Sequence, residues 1–135
     1  MSTENLSGFT LVFGGDGFAP DEFLSENALL LKAGGKVMNR GTVSRAGKPA
    51  DCAWIEFSDV RAGTYPLDPV SEVVDLLVSC KKEFLCLAFY PGVSFRSLSI
   101  FGDNRSCTLE ITEDDLRLLG EFSLAISVTP YWHAV

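Results

Sequence analysis

The stretch 68–101 constrains this chain more than any other part of it. Asp68-Pro69 is followed by Val70, Val73, Val74 and Leu77, apolar residues spaced at helical intervals. Asp68 can accept backbone N–H groups at a helix start, and Pro69 suits the first helical position, where its missing N–H would go unpaired anyway. The spacing turns the apolar residues to one helix face. Two apolar runs follow, 84–90 and 95–101, joined by Pro91-Gly92, and we read them as the two strands of a hairpin. The expectation is a capped helix packed on a hairpin. This stretch holds no metal-ligand set and no phosphate cradle, so it speaks for architecture and not for chemistry.

Other elements can be read in order. Phe9, Leu11 and Phe13 alternate with Gly8, Thr10 and Val12, the period of a strand with one buried face. Gly14-Gly15-Asp16-Gly17 breaks that strand, and Ala19-Pro20-Asp21-Glu22 starts a short helix ending near Asn27. Glycines at 34, 35, 41 and 47 punctuate the next segment, where a strand is expected around 36–44. In 52–57 Ala53, Ile55 and Phe57 face one way and Cys52, Trp54 and Glu56 the other. Thr112-Glu113-Asp114-Asp115 resembles a capping box, with Asp115 in place of the usual glutamate, and Gly120 closes that helix. The clearest alternation is 122–129, with Phe122, Leu124, Ile126 and Val128 expected on the core side. The order is β-α-β-β-α-β-β-α-β, which predicts an α+β fold: a mainly antiparallel sheet with short helices packed on it. Residues 1–135 read as a single domain with a polar tail at 1–7.

Composition narrows the class. At 135 residues and 47% hydrophobic content the chain can bury an ordinary core. No apolar run approaches the roughly 18 residues of a membrane span, and the polar start lacks the features of a secretory signal. Cys52, Cys80, Cys86 and Cys107 are scattered through apolar segments, which fits reduced thiols in a cytoplasm; Cys80 and Cys86 flank an expected turn and are the pair that can approach each other. Eleven basic against eighteen acidic side chains give a net charge of −7, which disfavours nucleic acid and anionic membranes and attracts a basic partner. The plainer account of that charge is solubility. The basic residues are unevenly placed: five of the eleven lie in the segment 32–48, namely Lys32, Lys36, Arg40, Arg45 and Lys48.

The chemistry of catalysis is hard to find. Gly14-Gly15-Asp16-Gly17 sits between a strand and a helix but lacks the spacing of a nucleotide loop, and Asp16 repels phosphate. The only histidine, His133, is beside the C-terminus, so neither a nitrogen and sulfur metal site nor a positioned base is expected. Asp16, Asp21 and Glu22, or Asp103 with Glu113 and Asp114, lack the ligand spacing of a calcium loop. No cofactor and no catalytic residue is predicted.

Several residues together resemble a known family. They are the first strand with its Phe-Gly turn and Pro-Asp-Glu helix, Trp54 opening a later strand, the Asp-Pro helix, and the last alternating strand ending in Pro130-Tyr131. This pattern is similar to that of the bacterial family catalogued as domain of unknown function 4279. The resemblance implies a binding role and little enzymatic one, since similar small acidic proteins often occur as immunity partners of bacterial toxins. The expected function is therefore a non-catalytic cytoplasmic module that neutralises a basic partner through an acidic surface. The alternative is a pocket between the sheet and residues 28–49, holding an anionic ligand or substrate with the basic segment 32–48. A dimer through an exposed sheet edge is a third reading.

The partner surface can be placed by an echo between two segments. A strand, a Phe-Gly turn and an acidic helix start occur once around Phe13 and again around Phe101. If the two strands run the same way, Asp16, Asp21, Glu22 and Glu26 gather with Asp103, Glu113, Asp114 and Asp115 at one end of the sheet. Trp54 is the aromatic candidate beside them. The plainer reading has each acid serving only its own helix start.

Overall fold

The computed structural model describes residues 6–39, 51–62, 68–103 and 110–131, with single positions at 41 and 47. It is an α+β fold: β1 (Leu6–Gly15), α1 (Pro20–Glu26), α2 (Ala28–Lys32), β2 (Lys36–Met38), β3 (Ala53–Ala62), α3 (Pro69–Ser79), α4 (Lys81–Ala88), β4 (Phe95–Asp103), α5 (Glu113–Glu121) and β5 (Ala125–Tyr131). The strands form one sheet in the order β2-β3-β1-β4-β5. Three pairings are antiparallel, and β4 with β5 is parallel.

β1 lies at the centre of the sheet, between β3 and β4. Phe9, Leu11 and Phe13 point to one face together with Ile55 and Phe57 of β3 and with Leu98 and Ile100 of β4. Phe23 of α1, Leu30 of α2, Val70, Val73 and Leu77 of α3, Phe84 and Leu87 of α4, and Leu119 of α5 close over them in one buried cluster. The ring of Phe84 packs 4.9 Å from Phe57 and 6.0 Å from Phe13, so α4 is held by aromatic contacts to two strands. On the opposite face Thr10, Val12, Trp54, Glu56, Ser97 and Ser99 are half-buried and Ser58 and Ser127 exposed. There Thr10 Oγ1 lies 3.1 Å from Ser58 Oγ, and Ser127 Oγ donates to Ser99 Oγ at 3.2 Å, so a row of hydroxyls crosses the sheet.

Local signals hold. The Asp68 carboxylate accepts from the Val70 N–H at 2.9 Å and Pro69 opens α3. Thr112 and Asp115 form the reciprocal capping box: Asp115 N–H donates to Thr112 Oγ1 at 3.1 Å, and Thr112 N–H to Asp115 Oδ2 at 3.3 Å. Gly14 stays inside β1 rather than starting a turn, because Trp54 and Phe95 flank it; a Cβ there would lie 2.5 Å from Trp54 Cβ and 2.5 Å from Phe95 Cζ. Likewise β1 starts at Leu6, within the stretch expected to be a tail, and α5 runs one residue past Gly120.

Several expectations need correction. Residues 84–90 are not a strand, so there is no hairpin at Pro91-Gly92: α4 covers Lys81–Ala88, and Phe84, Leu87 and Ala88 are buried one turn apart. The buried positions Val70, Val73, Leu77, Cys80, Phe84 and Leu87 keep a helical interval straight through the break at Cys80, which is why the segment folds back as helix. The element order is accordingly β-α-α-β-β-α-α-β-α-β. The last strand is also shorter than its alternation: Phe122 is buried but caps α5, Ser123 reverses the chain at φ 53°, and pairing starts at Ala125. Cys80 is buried and Cys86 exposed, both as free thiols, and Cys52 is free as well. The strand expected at 36–44 is described only as β2, three residues long, and Arg40, Arg45, Lys48, Cys107, Trp132 and His133 lie outside the described residues.

Candidate functional site

The expected acidic patch depends on strand direction, and the direction opposes it. β1 and β4 are antiparallel, with Gly14 opposite Phe95 and Gly8 opposite Phe101. The turn after β1 therefore leaves the sheet at the end where β4 begins, and Asp103 closes β4 at the other end. β5 starts at Ala125 beside Ser97, so α5 ends near the start of β4 and its first turn lies farther from that end. Asp16, Asp21, Glu22 and Glu26 follow β1 and are all exposed, whereas Asp103 closes β4 at the opposite end of the sheet. The shared strand direction that would gather the eight acids at one end is absent.

Their local roles differ too. Glu113 and Asp114 are exposed and pair with Arg117 of their own helix, at 3.0 Å and 3.6 Å. Asp115 is half-buried and spends its carboxylate on the capping box. Asp21 and Glu22 sit in the first turn of α1 and line a shallow hollow of about 430 Å³ with Phe18, Pro20, Asn39 and Ala53. Trp54 is half-buried on the open face of the sheet, opposite Gly14 and Met38, the position its alternation assigned it.

A better-built site lies elsewhere. Between the end of α2, the face of α3 and strand β3 is a hollow of about 470 Å³. Phe9 and Phe57 contribute the aromatic part of its lining, Ala33 and Gly34 the turn after α2, and Asp59, Glu72 and Asp75 the carboxylates. The elements explain the convergence. Asp59 follows Phe57 by two on β3 and so shares the helix-bearing face. Glu72, Asp75 and Leu76 fall three or four apart on α3, along the stripe beside its buried Val73 and Leu77. Glu72 and Asp59 are half-buried and both engaged in interactions of their own, whereas Asp75 is exposed. Carboxylates and aromatic rings lining one hollow are the chemistry that suits a cation such as a guanidinium or an ammonium group. Among the described residues no group of three or more histidine, cysteine, aspartate or glutamate side chains has the arrangement to hold a metal ion.

Residue type alone does not single out Asp59, Glu72 and Asp75 from eighteen acids. Glu72 and Asp75 share a helix stripe, which was readable; that Asp59 joins them follows only from the packing of α3 over β3. Lys32 is exposed at the end of α2 and Lys36 exposed on β2, and neither lines the hollow. No helix among the described residues is long and apolar enough to cross a membrane. Comparison of the chain with protein-family models, with curated proteins and with solved structures finds no match.

Proposed function

We propose that the protein is a non-catalytic binding module for a basic protein partner, which presents a lysine or arginine side chain to the hollow between β3, α2 and α3. The observation that carries this reading is the lining of that hollow, with Asp59, Glu72 and Asp75 beside Phe9 and Phe57. A net charge of −7 supplies long-range attraction for the same partner and speeds encounter. In biological terms the module is an immunity protein that neutralises a bacterial toxin in the cytoplasm, its carboxylates standing in for an anionic substrate, as the family resemblance implies. The opposite reading, an anionic ligand held by the basic segment 32–48, has less support because the ionisable lining of the hollow among the described residues is acidic.

The test uses the exposed carboxylate. Asp75→Lys leaves the core untouched and should keep the thermal midpoint of the parent. Capture of a basic protein from the producing cells by the tagged chain, followed by association kinetics, reads the effect. The variant should associate about tenfold more slowly at low salt, with the difference shrinking as salt screens it. Equal association rates would remove the hollow from the interface, and a parent that captures no basic protein removes the binding reading altogether.

A further inference from the structure

We propose that β5 is a docking edge for a second copy of this chain, which pairs antiparallel to it and joins the two sheets into one. The sheet has two edge strands and they are unlike each other. β2 is three residues long and carries exposed Lys36, features that discourage edge pairing. β5 is seven residues long, Ala125–Tyr131, and contains no charged side chain in a chain that is 21% charged. Its proline, Pro130, comes near the end and leaves 125–129 able to donate N–H groups. β5 bonds β4 on one side, and no described strand pairs its other side.

The side chains repeat the message. Ile126 and Val128 lie in register with Leu98 and Ile100, on the face that carries the helices, yet they are 36% and 46% exposed. An apolar stripe thus continues from the core to the edge of the sheet and stops there uncovered among the described residues.

A second copy fits because β5 is self-complementary. A twofold axis at Ser127 sets Ser127 opposite its own counterpart, and Ile126 opposite the counterpart of Val128. Each protomer then covers the apolar stripe of the other on the helix side. On the open side, the hydroxyl row Ser58, Thr10, Ser99 and Ser127 runs on into the same row of the second copy. The axis also lays α5 antiparallel to its copy, turning the exposed Glu113 and Asp114 of each toward the last turn of the other. At that end Lys81 is taken up by Glu121 at 3.0 Å, and exposed Lys82 is the cation left to face them. Opposed helix dipoles and the single cation Lys82 favour this arrangement. Because the pairing is isologous, and β2 is too short and too charged to accept β5, the assembly closes at two. Two chains of charge −7 repel at a distance, so the dimer forms at physiological salt, where that repulsion is screened.

Light scattering on the whole chain, from micromolar to millimolar concentration at physiological salt, should show the mass rising from 14.7 kDa to twice that value. Val128→Lys, confirmed as folded by circular dichroism, should stay at the mass of one chain across the range. Directly opposed residues of an antiparallel pair have Cα atoms about 4.5–5.5 Å apart, within disulfide reach. Ser127→Cys in a Cys86→Ser background should therefore cross-link into a covalent dimer under mild oxidation. Ser58→Cys in the same background, exposed on the same row but far from the axis, should not. If Val128→Lys does not fold, the Ser127→Cys cross-link decides alone. A parent that remains at 14.7 kDa, a dimer that survives Val128→Lys in folded protein, an absent Ser127→Cys cross-link, or growth beyond two chains overturns the proposal.

Discussion

β1 and β5 carry the same written pattern and meet different fates. Both alternate large apolar residues with small or polar ones, yet Leu11 and Phe13 are fully buried while Ile126 and Val128 stay 36% and 46% exposed. The alternation states which side of the sheet a residue faces, and on that point both strands obey it. Depth of burial is set by neighbours. β1 has a strand on either side and helices above it, whereas among the described strands β5 has β4 alone beside it. Burial energy follows area removed from water, so equal hydrophobicity contributes unequally in the two places.

Truncation is the strongest way to break that comparison. Phe13→Ala should cost about 3–5 kcal/mol, by lost transfer energy and a cavity beside Phe84, whereas Val128→Ala should cost under about 1 kcal/mol in the monomer. Urea unfolding at low protein concentration measures both, and equal losses would mean that β5 is as deeply packed as β1. A smaller effect separates two glycines. Gly14→Ala should destabilise by about 1–3 kcal/mol, since the new methyl meets Trp54 Cβ at 2.5 Å and the Ala53 carbonyl oxygen at 2.7 Å in the middle of the sheet. Near the edge, a Cβ added to Gly120 of α5 meets nothing within 4 Å. Gly120→Ala should raise stability by about 0.5–1 kcal/mol through lower backbone entropy in the unfolded chain, and a loss in the thermal midpoint would show that α5 is packed more tightly there than its surroundings indicate.

The same contrast between centre and edge bears on the acidic surface. Reversing Asp114 and Asp115 together is a poor probe of partner binding, because Asp115 holds the capping box and its loss weakens α5 by about 1 kcal/mol. Asp75, exposed beside the hollow, carries no such duty in the helix and isolates the electrostatic question.

A long-range fact missing from the chain's own pattern explains each misreading. Residues 84–90 hold aromatic and aliphatic groups that suit a strand or a helix, and a short apolar run does not decide between them. The interval from Val70 to Leu87 decides for helix once Leu77 and Cys80 are seen to share the same buried side. Gathering the acids at one end requires two similar strand-turn-helix units that run in parallel, and β1 and β4 are antiparallel.

What the sequence determined by itself is local: the caps at Asp68 and Thr112, the helix face of Val70, Val73 and Leu77, the side on which Trp54 stands, and the α+β class. Such features act over three or four residues, where backbone hydrogen bonds and side-chain direction leave few alternatives. Only the tertiary structure decided the strand order, the parallel placement of β5 at an edge, and the meeting of Asp59 with Glu72 and Asp75. Those outcomes depend on which apolar faces bury the most area against one another, a comparison made across the whole chain at once.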